Sequence, residues 1–80
     1  MRVTVLLFAS YADALGARTL TLDLPDDACT SAVVRALRER PGAAALPPAP
    51  LVAVNERYTA PDAPLTEGDV VAVLPPVAGG

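Results

Sequence analysis

The two most uniformly apolar stretches of this sequence lie at opposite ends of the chain. Residues 2–9 (RVTVLLFA) and Val70–Leu74 are β-branched or otherwise apolar at nearly every position. Such runs are typical of strands in the middle of a sheet, with both faces covered or with one face forming a binding surface. The first and last strands are therefore predicted to lie side by side at the sheet centre. This constraint leaves few folds for 80 residues, a length that predicts one domain.

Two helices are predicted between these runs. Residues 31–40 place apolar side chains on one face and arginines on the other, with Thr30 as the N-cap and Pro41-Gly42 ending the helix. A shorter helix over residues 11–15 is predicted to be capped by Ser10 and ended by Gly16. The longer helix has about three turns, enough to cover one face of a small sheet.

The remaining segments predict strands and loops. Residues 19–24 (TLTLDL) alternate leucine with polar residues, as in an antiparallel strand with one wet face. Residues 42–50 are rich in proline and predict an extended loop. Residues 51–55 predict a strand, and residues 55–57 a tight turn in which Asn55 tolerates a left-handed conformation. Residues 57–59 predict a short edge strand.

The resulting order is β-β-α-β-(β)-β. Because the main helix separates the two halves, the first and last strands can be parallel. The prediction is an α+β fold of the β-grasp (ubiquitin-like) type, in which a mixed sheet with central, parallel first and last strands holds one main helix. We expect residues 1–80 to form a single domain with a flexible tail over 77–80.

Composition excludes several classes of function. The net charge is −3 and the six cations are scattered arginines, so the basic stripe of a nucleic-acid-binding protein is missing. The chain has no His, which removes the usual general base and metal ligand. The single Cys29 cannot form an internal disulfide and is expected to pack rather than to act as a nucleophile. Asp26 and Asp27 are expected to form a solvated turn.

Composition also indicates where in the cell the protein is located. No apolar run approaches the roughly 20 residues that a membrane-spanning helix needs. We therefore expect a cytoplasmic protein with no membrane contact, no bound cofactor and no metal.

The chain ends with Pro75-Pro76-Val77-Ala78-Gly79-Gly80. Prolines cannot donate to a strand ladder, so they are expected to end the last strand and let the following residues project from it. Gly79-Gly80 lacks side chains and can enter a slot too narrow for other dipeptides. The group that such a slot would meet is the terminal carboxylate, which becomes an acyl donor once a partner activates it, for example by adenylation with ATP. On this interpretation the chain is a carrier whose functional atoms belong to the main chain.

Several motifs make the chain resemble a known family. They are Val54-Asn55 after the proline-rich loop, the turn PLTEGD at 64–69 and the end PPVAGG at 75–80. Together with an opening strand that ends in Phe8, they resemble the small, sulfur-carrying subunit of molybdopterin synthase (the MoaD family) over essentially the whole chain.

The resemblance implies a mechanism. An adenylating enzyme of the ubiquitin-activating type (MoeB-like) uses ATP to adenylate the Gly80 carboxylate, and a sulfur donor protein converts it to a thiocarboxylate. The tail then enters the large synthase subunit (MoaE-like), where Gly80 gives sulfur to cyclic pyranopterin monophosphate. The large subunit supplies the catalytic side chains, and this chain has no active site of its own.

The resemblance also implies which residues contact partners. Phe8, Tyr58 and Leu74 match partner-facing positions of the family. From the residues alone, Phe8 and Leu74 could equally belong to the core, whereas Tyr58 suits an exposed contact. The tail contacts would be made by Pro75, Pro76, Val77 and Ala78, beside the reacting Gly79 and Gly80.

Three alternatives remain open from sequence. The carrier could serve thiamin synthesis or tRNA thiolation, or activated Gly80 could form an amide with a lysine of a target protein, as ubiquitin-like modifiers do. The last alternative is an interaction domain in which the two glycines have no role. This chain has no Lys, so its own side chains cannot accept an isopeptide bond.

Overall fold

The computed structural model describes residues 1–47, 50–60 and 62–75, which form five strands and two α-helices. In chain order the elements are β1 (Arg2–Leu7), α1 (Ala9–Leu15), β2 (Thr19–Asp23), α2 (Thr30–Arg38), a 3₁₀ turn (Ala43–Ala45), β3 (Leu51–Val54), β4 (Arg57–Tyr58) and β5 (Val70–Leu74).

The first and last strands are neighbours at the centre of the sheet. The strand order is β2-β1-β5-β3-β4, so β5 is the middle strand. β1 and β5 run parallel, with Val5 beside Val71 and Leu7 beside Val73. The other three pairings are antiparallel. The predicted α+β fold, with a mixed sheet and parallel central termini, is confirmed.

The core lies between one face of this sheet and the helices. Alternate residues of β1 and β5 point into it, and Val33 and Leu37 of α2 are fully buried against them. Full burial of a Val or Leu side chain stabilises a fold by about 1.5–3 kcal/mol. The fully buried aliphatic side chains are Val3, Val5, Val33, Leu37, Val71 and Val73. Arg35, Arg38 and Glu39 are exposed, as predicted for the other face of α2.

The predicted cap of α2 is wrong. Cys29 occupies the N-cap position, and Thr30 is the first helical residue. Thr30 is fully buried, and its hydroxyl donates a hydrogen bond of 3.0 Å to the carbonyl of Ala60. A long-range contact with the loop before β5 therefore outweighs the local preference of threonine for a cap. The helix also ends earlier than predicted, at Arg38.

The connection from β1 to α1 also differs from the prediction. β1 ends at Leu7, and Phe8 rather than Ser10 is the N-cap of α1, without a side-chain hydrogen bond. Ala9 has φ of 49°, a left-handed conformation that costs an L-residue roughly 1–2 kcal/mol. Gly16 ends α1, as predicted, in a left-handed C-cap. The chain thus turns abruptly out of β1 directly after Phe8.

Of two further predicted segments, one is confirmed and the other differs from the prediction. Asn55 and Glu56 have φ of 50° and 72°, which confirms the left-handed turn between β3 and β4. The loop after α2 was predicted to be extended, but Ala43–Ala45 form a 3₁₀ turn. Gly42, just before this turn, lies against the last turn of α1: a Cβ built on it would be 1.9 Å from the carbonyl oxygen of Ala14.

We expect Gly42→Ala to destabilise the fold much more than Gly68→Ala. Both glycines have positive φ, of 89° and 85°, so both substitutions carry the left-handed penalty of roughly 1–2 kcal/mol. Only Gly42 has neighbouring atoms in the way, and the added clash is worth roughly 1–3 kcal/mol. Urea denaturation of the two variants measures the difference, and equal losses would contradict the packing of Gly42 on α1.

Candidate functional site

One end of the sheet is where the chain leaves its central strand. The register places Leu7 beside Val73, Leu51 beside Leu74, and Leu6 beside Thr19. The ends of β1 and β5 and the starts of β2 and β3 therefore meet at the same edge of the molecule. Any segment that follows Pro75 begins at this edge, next to the two central strands.

The sheet face opposite the helices is apolar near this edge. Phe8 is 42% exposed, Leu51 44% and Tyr58 72%. Cross-strand pairing brings Leu51 next to Leu74, and Ala53 lies between Tyr58 and Ala72 on the same face. We call this patch the exit surface; its members are Leu6, Phe8, Leu51, Tyr58, Ala72 and Leu74. A cluster of exposed large apolar side chains is typical of a surface that binds another protein.

The structure brings together three of the residues singled out from the sequence. Phe8, Tyr58 and Leu74 all lie on the exit surface. Phe8 is exposed and Leu74 is half-buried, so neither is part of the buried core. Pro75 follows β5 and is half-buried. That these side chains contact a partner stays a prediction.

The tail residues named from the sequence lie outside the described residues. They are Pro76, Val77, Ala78, Gly79 and Gly80.

Leu51 and Leu6 also lie on the exit surface, although the sequence did not predict them there. The sequence predicts both only as strand residues. A strand that is apolar at every position must nevertheless present half of its side chains to the face away from the helices. Register decides which half, since Leu51 becomes an exposed neighbour of Leu74 only when β3 pairs with β5. Counting the even positions of β1 could have found Leu6.

A polar clamp holds the other end of β5. The Asn55 side chain donates to the Asp69 carboxylate and accepts from the Val70 N–H, both at 3.0 Å. The backbone N–H of Thr66 donates to Asp69 at 2.8 Å. These donors, the Thr66 N–H first and the Asn55 amide next, lower the pKa of Asp69 below its usual value. The clamp ties the β3–β4 turn to the turn before β5 and so fixes the register of the central strand.

Cys29 lies away from the exit surface. It follows β2, whose last residue is at the opposite edge of the sheet from Leu74. The thiol is half-buried, 3.0 Å from the Ser31 hydroxyl, and this hydrogen bond is the main cause of its lowered pKa. The predicted packing of Cys29 is therefore only partial. Asp26 and Asp27 are exposed, as expected of a solvated turn.

Residues 1–47, 50–60 and 62–75 hold no group of three or more His, Cys, Asp or Glu side chains that could bind a metal ion. The helices in these same ranges are too short or too polar to span a bilayer.

Comparison with known proteins points in one direction. A family model described as the ThiS family matches residues 5–80. The chain is 34% identical to the molybdopterin synthase sulfur carrier subunit of Dictyostelium discoideum over 80 residues, covering 95% of this chain and 93% of that protein.

Solved structures extend the comparison. SAMP1 from Haloferax volcanii matches with a TM-score of 0.84 and 28% identity over the full length of both chains. A chain in the complex of subunits 1 and 2 of the molybdopterin-converting factor from Helicobacter pylori matches with a TM-score of 0.73 and 26% identity, again over both full lengths.

The clamp predicts a stability change in acid. Because the folded-state pKa of Asp69 is lowered, its ionised form adds stability above the unfolded-state pKa of about 4, and this is lost as the pH falls through the folded-state value. Asp69→Asn should therefore be less stable than the parent at pH 7, and the gap should narrow below about pH 4.

Urea midpoints between pH 7 and pH 2 measure this gap. Asp27→Asn, which removes an exposed carboxylate, is the matched control and should follow the parent throughout. A constant gap for Asp69→Asn across the whole range would rule out the clamp as its cause.

Proposed function

The chain belongs to the ThiS family, and we propose that it is a sulfur carrier that serves molybdopterin synthesis as the small subunit of molybdopterin synthase. One observation carries this proposal: the similarity to a sulfur carrier subunit of that enzyme extends over 95% of this chain and 93% of the relative. Within the family, this relative favours molybdopterin over thiamin as the pathway.

The proposed chemistry takes place at Gly80. A free carboxylate is ionised at neutral pH and is a poor acyl donor. An adenylating partner of the ubiquitin-activating type would join it to the α-phosphate of ATP and release pyrophosphate. A thiol reductant would release hydrosulfide from a persulfide of a donor protein, and the hydrosulfide would attack the acyl carbon, displace AMP and leave a thiocarboxylate. The glycine pair lets the enzymes approach the reacting carbon, and the acceptor of the sulfur would be cyclic pyranopterin monophosphate.

The exit surface supports the proposed docking. It surrounds the point where the chain leaves β5, so a partner that covers it would receive the tail directly. Its apolar side chains include Tyr58, and aromatic residues are enriched at the centres of protein interfaces. The Helicobacter pylori structure is of a complex between subunits 1 and 2 of the converting factor, and we propose a large-subunit partner of the same kind here. Phe8, Leu51, Tyr58 and Leu74 would form its contacts.

Three features accompany the proposal. ATP would be bound by the activating partner and not by this chain. The reaction would take place in the cytoplasm, where the unpaired Cys29 suits a reducing environment. The large subunit would supply the catalytic side chains, so this chain would be a substrate-like subunit of the synthase.

A second candidate function has its own support. SAMP1 from Haloferax volcanii matches the full chain at 28% identity. A second matching structure is described as Haloferax volcanii small archaeal modifier protein 1. The same activated Gly80 could therefore be joined to a lysine of a target protein. The acceptor distinguishes the functions, because a modifier leaves an amide on a target and a carrier leaves sulfur on a pterin.

Sulfur loading gives the first test. We expect incubation with ATP, a sulfide source and the adenylating partner to replace one oxygen of Gly80 by sulfur. Intact mass, with fragmentation of the C-terminal peptide to exclude oxidation of Met1 or Cys29, locates the change. A chain with one residue added after Gly80 should stay unmodified. An unchanged Gly80 with a partner shown to be active on another carrier would end the proposal.

Docking gives the second test. Tyr58→Ala should weaken binding to the large subunit by about 30-fold, the loss expected for an interface hot spot of about 2 kcal/mol. Val70→Ala is the matched control, since Val70 is 36% exposed on the same sheet face but sits beside Thr4, towards the far end of the sheet. Calorimetry measures both, and equal affinities for the two variants would show that the partner does not use the exit surface.

A further inference from the structure

We propose that Ala9 is a positioning residue, whose left-handed backbone holds the Phe8 side chain out on the exit surface for a docking partner. That a partner docks there rests on the proposed function. The placement of Phe8 by Ala9 does not, because it depends on contacts within this chain alone.

Ala9 has a left-handed backbone that local turn chemistry does not explain. Within residues 1–47, 50–60 and 62–75, the non-glycine residues with positive φ are Ala9, Asn55 and Glu56. Asn55 and Glu56 form the two-residue turn between β3 and β4, and the favoured hairpin turn of this length has positive φ at both positions. Ala9 instead joins a strand to a helix, where φ is ordinarily near −60°. The conformation disfavours an L-residue by on the order of tenfold, so contacts on either side must hold it.

Two buried residues hold Ala9 in this conformation. Before it, Leu7 is buried in the core, and its N–H donates a hydrogen bond of 2.8 Å to the carbonyl of the residue that precedes β2. After it, Tyr11 is also buried, and its N–H donates a hydrogen bond of 3.0 Å to the carbonyl of Phe8. The chain therefore leaves the core at the end of β1 and returns to it in α1, and residues 8–10 are exposed in between.

Phe8 lies on the open face of the sheet because its own backbone is still extended. Its φ of −128° and ψ of 152° continue the alternation of β1, in which Leu7 points into the core. The Phe8 side chain therefore points to the opposite face, on the exit surface. A side chain whose backbone is fixed has less freedom to lose when a partner covers it, which favours binding.

Relaxation of Ala9 would move Phe8 rather than Tyr11. Ordinary helical backbone at Ala9 would change its φ by roughly 110° and swing α1 relative to β1. Tyr11 is buried, and taking an aromatic side chain out of a core is among the most destabilising changes that a small fold undergoes. Phe8 is exposed and loses little by turning. The left-handed conformation of Ala9 is therefore what keeps Phe8 on the exit surface while Tyr11 stays in the core.

Variants that act on the backbone of position 9 test the proposal. Ala9→Val disfavours positive φ further, because β-branched residues rarely adopt it, whereas Ala9→Gly adopts it freely. D-alanine at position 9 favours positive φ without adding an atom, and the chain that carries it can be assembled from two synthetic peptides by ligation at Cys29. Ser10→Val is the matched control, since Ser10 is exposed, adjacent and without positive φ.

Nuclear magnetic resonance of the free chain gives the first measurement. Contacts of the Phe8 ring with the Leu6 and Thr19 methyl groups report where the ring lies, because the three side chains line one cavity at the end of β1. We expect these contacts to be lost in Ala9→Val and kept with glycine or D-alanine at position 9 and in Ser10→Val. Contacts of Tyr11 with the core should persist throughout. If the Phe8 contacts also persist in Ala9→Val, the proposal is overturned.

Affinity for the large subunit gives the second measurement, by calorimetry at a temperature where every variant is folded. We expect Ala9→Val to bind about tenfold more weakly than the parent, which is the bias against positive φ expressed as an equilibrium constant. Glycine and D-alanine at position 9 should restore the affinity. A role in folding alone would change the unfolding temperature and leave the affinities of the folded variants equal, and that result would overturn the proposal.

The two measurements separate this inference from the proposed function. A parent chain that does not bind the large subunit, but whose Phe8 ring moves in Ala9→Val, contradicts the proposed docking and supports the placement of Phe8 by Ala9. A parent chain that binds, but whose Phe8 ring stays in place in Ala9→Val, supports the docking and overturns the role of Ala9.

Discussion

The parallel pairing of β1 with β5 is the constraint on which the rest of the structure depends. It makes the last strand the middle strand of the sheet, with neighbours on both sides that hold its backbone. The residues that follow Leu74 therefore start from a strand that is paired on both sides. At the opposite end of β5, Asn55 and Asp69 fix the register from which Leu74 is counted.

A second consequence is that only one face of the sheet is covered. Two short helices suffice to bury the odd positions of β1 and the matching positions of β5, and a chain of this size buries only about 60% of its unfolded surface. The even positions remain on the open face, where Leu6 and Ala72 are half-buried and Phe8 is exposed. A strand that is apolar on both sides thus serves the core with one side and leaves the other on the open face.

The chemistry proposed for this chain would need none of its side chains as catalysts. The chain has no His. The residues that the structure describes hold no cluster that could bind a metal. What the fold supplies is placement: β5 is paired on both sides, and the apolar exit surface surrounds the point where the chain leaves it. In the proposed function, the catalytic side chains and the nucleotide would be supplied by the partners.

Much of this could be derived from the sequence because local patterns were strong. The two apolar runs identified the central strands, and the alternation in TLTLDL gave the half-buried edge strand. Asn55 predicted the left-handed turn, because asparagine tolerates that conformation. The glycines and prolines at the end of the chain, together with the motifs before them, indicated the carrier function.

Tertiary structure decided what depends on residues far apart in the chain. Local preference predicts Thr30 as the N-cap of α2. Its hydroxyl instead donates a hydrogen bond to the carbonyl of Ala60, 30 positions away. Leu51 reads as an ordinary strand residue until its pairing with Leu74 exposes it on the open face. Arg18 is one of six scattered arginines in the sequence. It lies near Leu6 and Phe8 only because β2 starts beside the end of β1. Local preferences act within a few residues, whereas register and burial are set by the whole sheet. The sequence alone therefore determined the strands and the carrier motif at the end of the chain, and the packed fold determined which side chains surround the end of β5.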